Sequence, residues 1–227
     1  MTALEPWDSM INVWRSGQER LATVRCWSAF DCDKNGGIRP QDLLQHSYSL
    51  AVLGRMVISL LRPHATLDES LLMTALLLHD HGKAEIGFDP PAPSKSDWSQ
   101  LREYYGFISR FSHLPAPVFH ELERAFLLQC ATLSLEHFPE DARNVVEQLK
   151  IEHPLEVLAF EAIERWDFVL YALEQYRERQ NEMILSRVLR NHESRLDELA
   201  ASLPGFGTVI WTPEIQAWKA DFLKQPA

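Results

Sequence analysis

The chain has 227 residues, 46% of them apolar and 24% charged, which is enough apolar content for a packed core and too much for intrinsic disorder. That length suits one large domain. The formal net charge of −10 excludes a general polyanion binder, which needs a basic face, but leaves room for a small anionic substrate held by a metal and a few local cations.

Cys26, Cys32 and Cys130 are widely spaced and form neither a zinc pattern nor a disulfide framework, so a reducing, cytoplasmic compartment is expected. Glu5 and Asp8 stand where a secretory signal would be basic. The longest apolar run, "LLMTALLLH", is far too short to span a bilayer. Neither nucleic acid nor membrane is therefore expected as a partner.

The spacing of apolar residues predicts helices over 7–22, 40–62, 68–83, 96–111, 116–133, 139–150, 154–177 and 181–201. Between the first two lies "DCDKNGG". Asp31, Asp33, Asn35, Gly36, Ile38 and Asp42 occupy positions 1, 3, 5, 6, 8 and 12 of a calcium-loop pattern. In 40–62, Leu43, Leu44, Tyr48, Ala51, Val52, Met56, Ile58 and Leu60 make a broad apolar surface, which predicts a central helix. Thr66 or Asp68 can cap the next helix. "IGFDPPAPSK" is a proline-rich loop, the chain breaks and restarts near Pro115, and "PGFGTVIW" at 204–211 is the one expected strand. The expectation is an all-α domain over 1–203 with a C-terminal extension, 204–227, packed on it.

Most histidines need no special chemistry. His64, His137, His153 and His192 lie near turns or polar faces, where solvent or a structural hydrogen bond satisfies them. His79 and Asp80 differ, because they end the most apolar helix of the chain. An imidazole and a carboxylate buried side by side are costly unless something pairs them, and a divalent cation does so while keeping the acid ionised. His46 lies near the start of the preceding long helix. Asp167 sits between Trp166 and Phe168 in an apolar helical stretch. Two histidines and two aspartates form a mixed nitrogen and oxygen set that suits a borderline divalent metal and, with open positions, metal-assisted hydrolysis.

In that order, His46, His79–Asp80 and Asp167 resemble the H…HD…D signature of the HD-domain metal-dependent phosphohydrolases. "IRPQDLLQHSYSLAVLG" resembles the segment carrying the first metal histidine in the bacterial 5′-deoxynucleotidase branch. "GFDPPAPSK" resembles that branch's GD-x-P-T-P-x-K loop, with Asp89 and Lys95 in the matching places. The resemblance covers about residues 20–175. It implies an HD-domain-like helical bundle with His46, His79, Asp80 and Asp167 holding one divalent ion (Mn, Co, Fe, Ni, Zn or Mg). Asp89 would meet the nucleoside sugar or a water beside it, and Lys95 the substrate. Arg25 and Trp27 resemble the branch's adjacent Arg-Trp pair, which meets phosphate and sugar. Here Cys26 separates them. Where the branch has a glutamate four residues after the second histidine, this chain has Lys83, a natural phosphate ligand. Glu85 remains the candidate base.

The implied activity is release of phosphate from a (deoxy)nucleoside 5′-monophosphate by metal-activated water. Alternatives within the superfamily are a nucleoside triphosphate or cyclic nucleotide hydrolase, or a two-metal oxygenase. For the last, His113 and His120 lie in the right interval but lack the doubled-histidine arrangement. Relatives commonly dimerise through helices, and nothing in the sequence marks such a face. An alternative of another class is a calcium-binding regulatory module through loop 31–42. Against it stand the lack of a second such loop and Asp42 in place of the bidentate glutamate at position 12.

Overall fold

The computed structural model describes residues 5–26, 41–87 and 97–224. The first helix, α1 (Glu5–Leu21), leads into a two-residue strand, β1 (Arg25–Cys26). This pairs antiparallel with β2 (Gln41–Asp42), Arg25 opposite Asp42 and Cys26 opposite Gln41. The ribbon delivers the chain to α2 (Leu43–Leu61). Asp42 is extended, and its carboxylate accepts the Gln45 backbone N–H at 2.8 Å, so the helix starts at Leu43 and not at 40.

Asp68 caps α3 (Glu69–Leu78) in the same way through the Leu71 N–H. The helix expected over 68–83 is two helices, because the chain turns at His79–Asp80 before α4 (His81–Ile86). Then come α5 (Asp97–Phe111), α6 (Ala116–Leu128) and a short 3-10 turn (Gln129–Thr132) that ends the run expected to be helical to 133. α7 (Glu140–Glu152), α8 (Pro154–Arg179) and α9 (Glu182–Ser202) follow the expected periodicity. Pro154 opens α8 at a position where its missing N–H costs nothing. Gln180, in left-handed geometry, closes it, and Asn181 caps α9 through the Ile184 N–H.

The expected strand at 204–211 is instead a turn of helix, α10 (Phe206–Val209), followed by α11 (Pro213–Lys224), which the sequence reading missed. β-prone residues alternate there, but Gly205 (φ +85°) turns the chain so that Phe206 and Trp211 both reach the core. α11 is tied back to α9 by Lys219, whose ammonium lies 3.1 Å from Asp197 and 3.3 Å from Glu193.

The described residues are therefore all-α apart from the short ribbon. One apolar core runs through them. The inner face of α2 (Leu50, Val57, Ile58, Leu61), α3 (Leu72, Ala75, Leu76) and α8 (Ala159, Phe160, Ile163) share it with Phe107 and Phe126. Burial contributes about 1.5–3 kcal/mol for each of the larger of these side chains, and less for the alanines. Two crossings are unusually close. Gly54 of α2 faces Leu76 of α3, and Gly82 of α4 lies against the backbone of Glu103 in α5. No described helix is long and apolar enough to cross a membrane.

α2 is not the central helix its composition predicts. Leu44, Tyr48, Val52, Met56 and Leu60 all point to solvent. The helix is apolar on both faces, so composition alone does not say which one is inside.

Candidate metal centre

α2 enters the core with His46 on its inner face, one turn after the Asp42 cap. α3 runs antiparallel to it in sequence order and ends at His79. The turn there lets Asp80 face back toward His46, which a continuous helix would not allow for two adjacent residues. Gln129 holds this turn by donating from Nε2 to the His79 carbonyl at 3.0 Å. His46, His79 and Asp80 are all buried, and Asp80 is 0% exposed.

Their atoms converge. His46 Nε2 lies 3.3 Å from His79 Nε2, and Asp80 Oδ2 lies 3.6 Å from the first and 3.2 Å from the second. A point equidistant from the three is about 2 Å from each, the bond length of a divalent transition metal to imidazole or carboxylate. The tautomers agree with that use. His79 donates from Nδ1 to the Leu76 carbonyl at 2.9 Å, leaving Nε2 as a lone pair facing the centre. On the far side of His46, Nδ1 lies 3.2 Å from Asp167 Oδ2, an ion-pair distance without an aligned hydrogen bond. Neither Asp80 oxygen receives an aligned hydrogen bond either. Either a proton shared along the His46 Nε2–His79 Nε2 contact or a cation must stand among these atoms, because three lone pairs facing one another would repel. The residues present fit a divalent ion, and among the described residues this is the group placed to hold one.

The electrostatics agree in sign. Burial pushes the Asp80 carboxyl up, but its contacts with His79 and the Lys83 ammonium outweigh it and hold the group well below the usual carboxylate range. Burial also lowers His46, but Asp167 and then Asp80 outweigh it and raise the imidazole. Without a metal, the proton is the cation that relieves the cluster. The walls are apolar: Phe168 stacks on His46 with ring centroids 6.2 Å apart, and Phe160 meets His79 edge-on at 6.1 Å.

Lys83, one turn along from the dyad, is buried with Nζ 2.6 Å from Asp80 Oδ1. The sequence-derived set is thus gathered as His46, His79, Asp80 and Lys83, with Asp167 adjoining through the outer nitrogen of His46. Glu85 is elsewhere. Its carboxylate is held by Arg20 of α1 and by Arg110 of α5 at 2.6 Å, which ties three helices together. Arg25 is exposed on β1. Asp89, Lys95 and Trp27 lie outside the described residues. So does loop 31–42 up to residue 40, while Asp42, its twelfth position, is engaged as the cap of α2. His113 and His120 are both exposed, and His120 has Glu123 3.6 Å away.

Sequence reasoning missed Gln129, Phe168 and the Arg20–Glu85–Arg110 bridge. Only Phe168 left a sequence signal, as the aromatic beside Asp167. Compared with known proteins, the chain matches no family model, no curated protein and no solved structure.

Proposed function

We propose that this protein is a metal-dependent phosphohydrolase of the HD-domain type, releasing phosphate from a (deoxy)nucleoside 5′-monophosphate. The observation that carries the reading is the convergence of His46, His79 and Asp80 on one point, with the Lys83 ammonium on the other oxygen of Asp80.

His46, His79 and Asp80 would hold the ion, and Asp167 fixes the ring of His46 from behind. A divalent ion there supplies Lewis acidity and a water of lowered pKa. Lys83 meets Asp80 as an ammonium, the form that binds phosphate and not the form that accepts a proton. Its charge would then lie beside a phosphate bound at the ion, and the apolar walls of Phe160 and Phe168 would strengthen that attraction by excluding water. Attack on phosphorus in line with the departing 5′-oxygen completes the reaction class. The opposing fact is the lysine where nucleotidases of this kind carry an acid. A lysine at that place supports phosphate binding by Lys83 and leaves the general base without a candidate in that position.

The test is phosphate release from a panel of deoxynucleoside monophosphates with added Mn or Co. Release by wild type and none by Asp80→Ala supports the reading. No release with any metal, or equal release by Asp80→Ala, ends it.

A further inference from the structure

His79 and Asp80 are neighbours in sequence, so one peptide unit joins two of the three side chains that face the centre, and a rotation of that unit moves both. Each side chain has a local restraint of its own: His79 donates from Nδ1 to the Leu76 carbonyl, and Asp80 pairs with Lys83. The peptide between them contains no proline or glycine. Asp80 stands at the N-cap of α4 but makes no side-chain cap, because its carboxylate is turned to Lys83 and the histidines. Its ψ of −2° differs from the helical value of about −42°, which is where the chain bends. The direction of that bend therefore comes from contacts outside α3 and α4.

Gln129 supplies such a contact. Its amide donates from Nε2 to the His79 carbonyl at 3.0 Å, on the peptide that joins the two side chains. Gln129 stands where α6 passes into the 3-10 turn, and its chain neighbours Leu127, Leu128, Cys130 and Ala131 are all buried. The amide reaches out from a part of the chain fixed in the close-packed core, so it acts as a strut between that core and the turn. A carbonyl oxygen accepts best near its own plane, so the bond fixes the orientation of the peptide as well as its distance. A metal ion tolerates only about 0.2 Å in its ligand bonds, so a small rotation of this peptide is felt at the centre.

We propose that Gln129 is a positioning residue of the metal centre: through the His79 carbonyl it sets the relative placement of His79 and Asp80, and with it the affinity and geometry of ion binding. It touches neither the ion nor a substrate. The inference rests on the metal-binding part of the reading above and not on the reaction. Loss of a partner that orients metal ligands typically weakens binding about 10- to 100-fold. Gln216 offers the comparison. Its Nε2 donates to the Trp211 carbonyl at 2.8 Å, a bond of the same kind between residues that take no part in the centre.

The test is cobalt(II) binding to the full chain, read by calorimetry and by the visible absorption of the bound ion, which follows ligand geometry. Gln129→Met keeps the length and loses the donor; Gln129→Asn keeps the amide and is one methylene short. Both should bind cobalt at least about 10-fold more weakly than wild type, with altered absorption, while metal-free melting stays within about 4 °C of wild type. Gln216→Met should shift melting by a similar amount and bind cobalt as wild type does. Wild-type affinity and absorption in a folded Gln129 variant overturn the proposal. So does an equal loss of affinity in Gln216→Met, or loss of the fold in both Gln129 variants, which would make the residue structural. A wild type that binds no cobalt overturns the metal centre and this inference together, whereas wild-type binding that neither Gln129 variant changes overturns this inference alone.

Discussion

Gly82 lies between Asp80 and Lys83 at the point where α4 touches α5, and Gly82→Ala tests how much stability that close contact carries. A Cβ at 82 would stand 2.1 Å from the Glu103 carbonyl oxygen and 2.7 and 2.9 Å from its carbon and Cα. A carbon–oxygen contact needs about 3.3 Å, so the two helices must part by about 1 Å. All three atoms are backbone, so no rotamer change absorbs the clash. Overpacking costs about 1–3 kcal/mol where side chains can yield, and more where they cannot. Alanine recovers about 1 kcal/mol of helix propensity, for a net loss of about 2–3 kcal/mol. Gly106, the reciprocal glycine, would bring a Cβ only to 2.7 Å of the Gly82 oxygen, and its alanine variant should cost about half as much. Gly87→Ala meets no atom within 4 Å, and the left-handed backbone there (φ +80°) makes it cost about 1 kcal/mol. Urea unfolding followed by circular dichroism gives all three values. Gly82→Ala within about 0.5 kcal/mol of wild type, or less harmful than Gly106→Ala, would refute the reasoning.

Asp167→Asn removes the charge behind His46 and should weaken metal binding about 10- to 100-fold in calorimetry; an unchanged affinity would remove Asp167 from the site. His192 is pushed down to about 4 by burial and then by Arg165, so the unfolded chain takes up a proton that the folded chain refuses. Stability should therefore fall by about 2–3 kcal/mol between pH 6.5 and 4, and His192→Asn should flatten that part of the curve. Burial raises Glu161, but Arg195 and Arg165 outweigh it and lower the carboxyl. Its pairing should stabilise the fold above pH 4.5 and be lost as pH falls through the lowered value. Glu161→Gln should cost about 1–2 kcal/mol at pH 7 and show a shallower decline in acid, read as melting temperature against pH.

Most helices were legible because their apolar residues repeat at helical spacing and their ends carry Asp, Asn or Pro. The failures have physical causes. "LLMTALLLHDHGK" reads as one helix because the turn at His79–Asp80 involves no glycine or proline at the break, and Gln129, 50 residues away, braces it. "PGFGTVIW" reads as a strand because its apolar residues alternate, yet Gly205 turns both aromatics inward. α2 reads as central because both of its faces are apolar. At the site, residue type and order selected His46, His79 and Asp80, and the folded chain adds what order cannot supply, their common point and the ammonium on Asp80. Glu85 looked available as a base because nothing in sequence links it to Arg20 and Arg110.

The central claim is that three side chains make one metal site. Metal content by mass spectrometry, on protein purified without chelators and again after incubation with Mn, Co or Zn, tests it most directly. The account predicts one divalent ion per chain in wild type and none in His46→Ala or Asp80→Ala. A metal-free wild type after every incubation, or full occupancy in either variant, would contradict it.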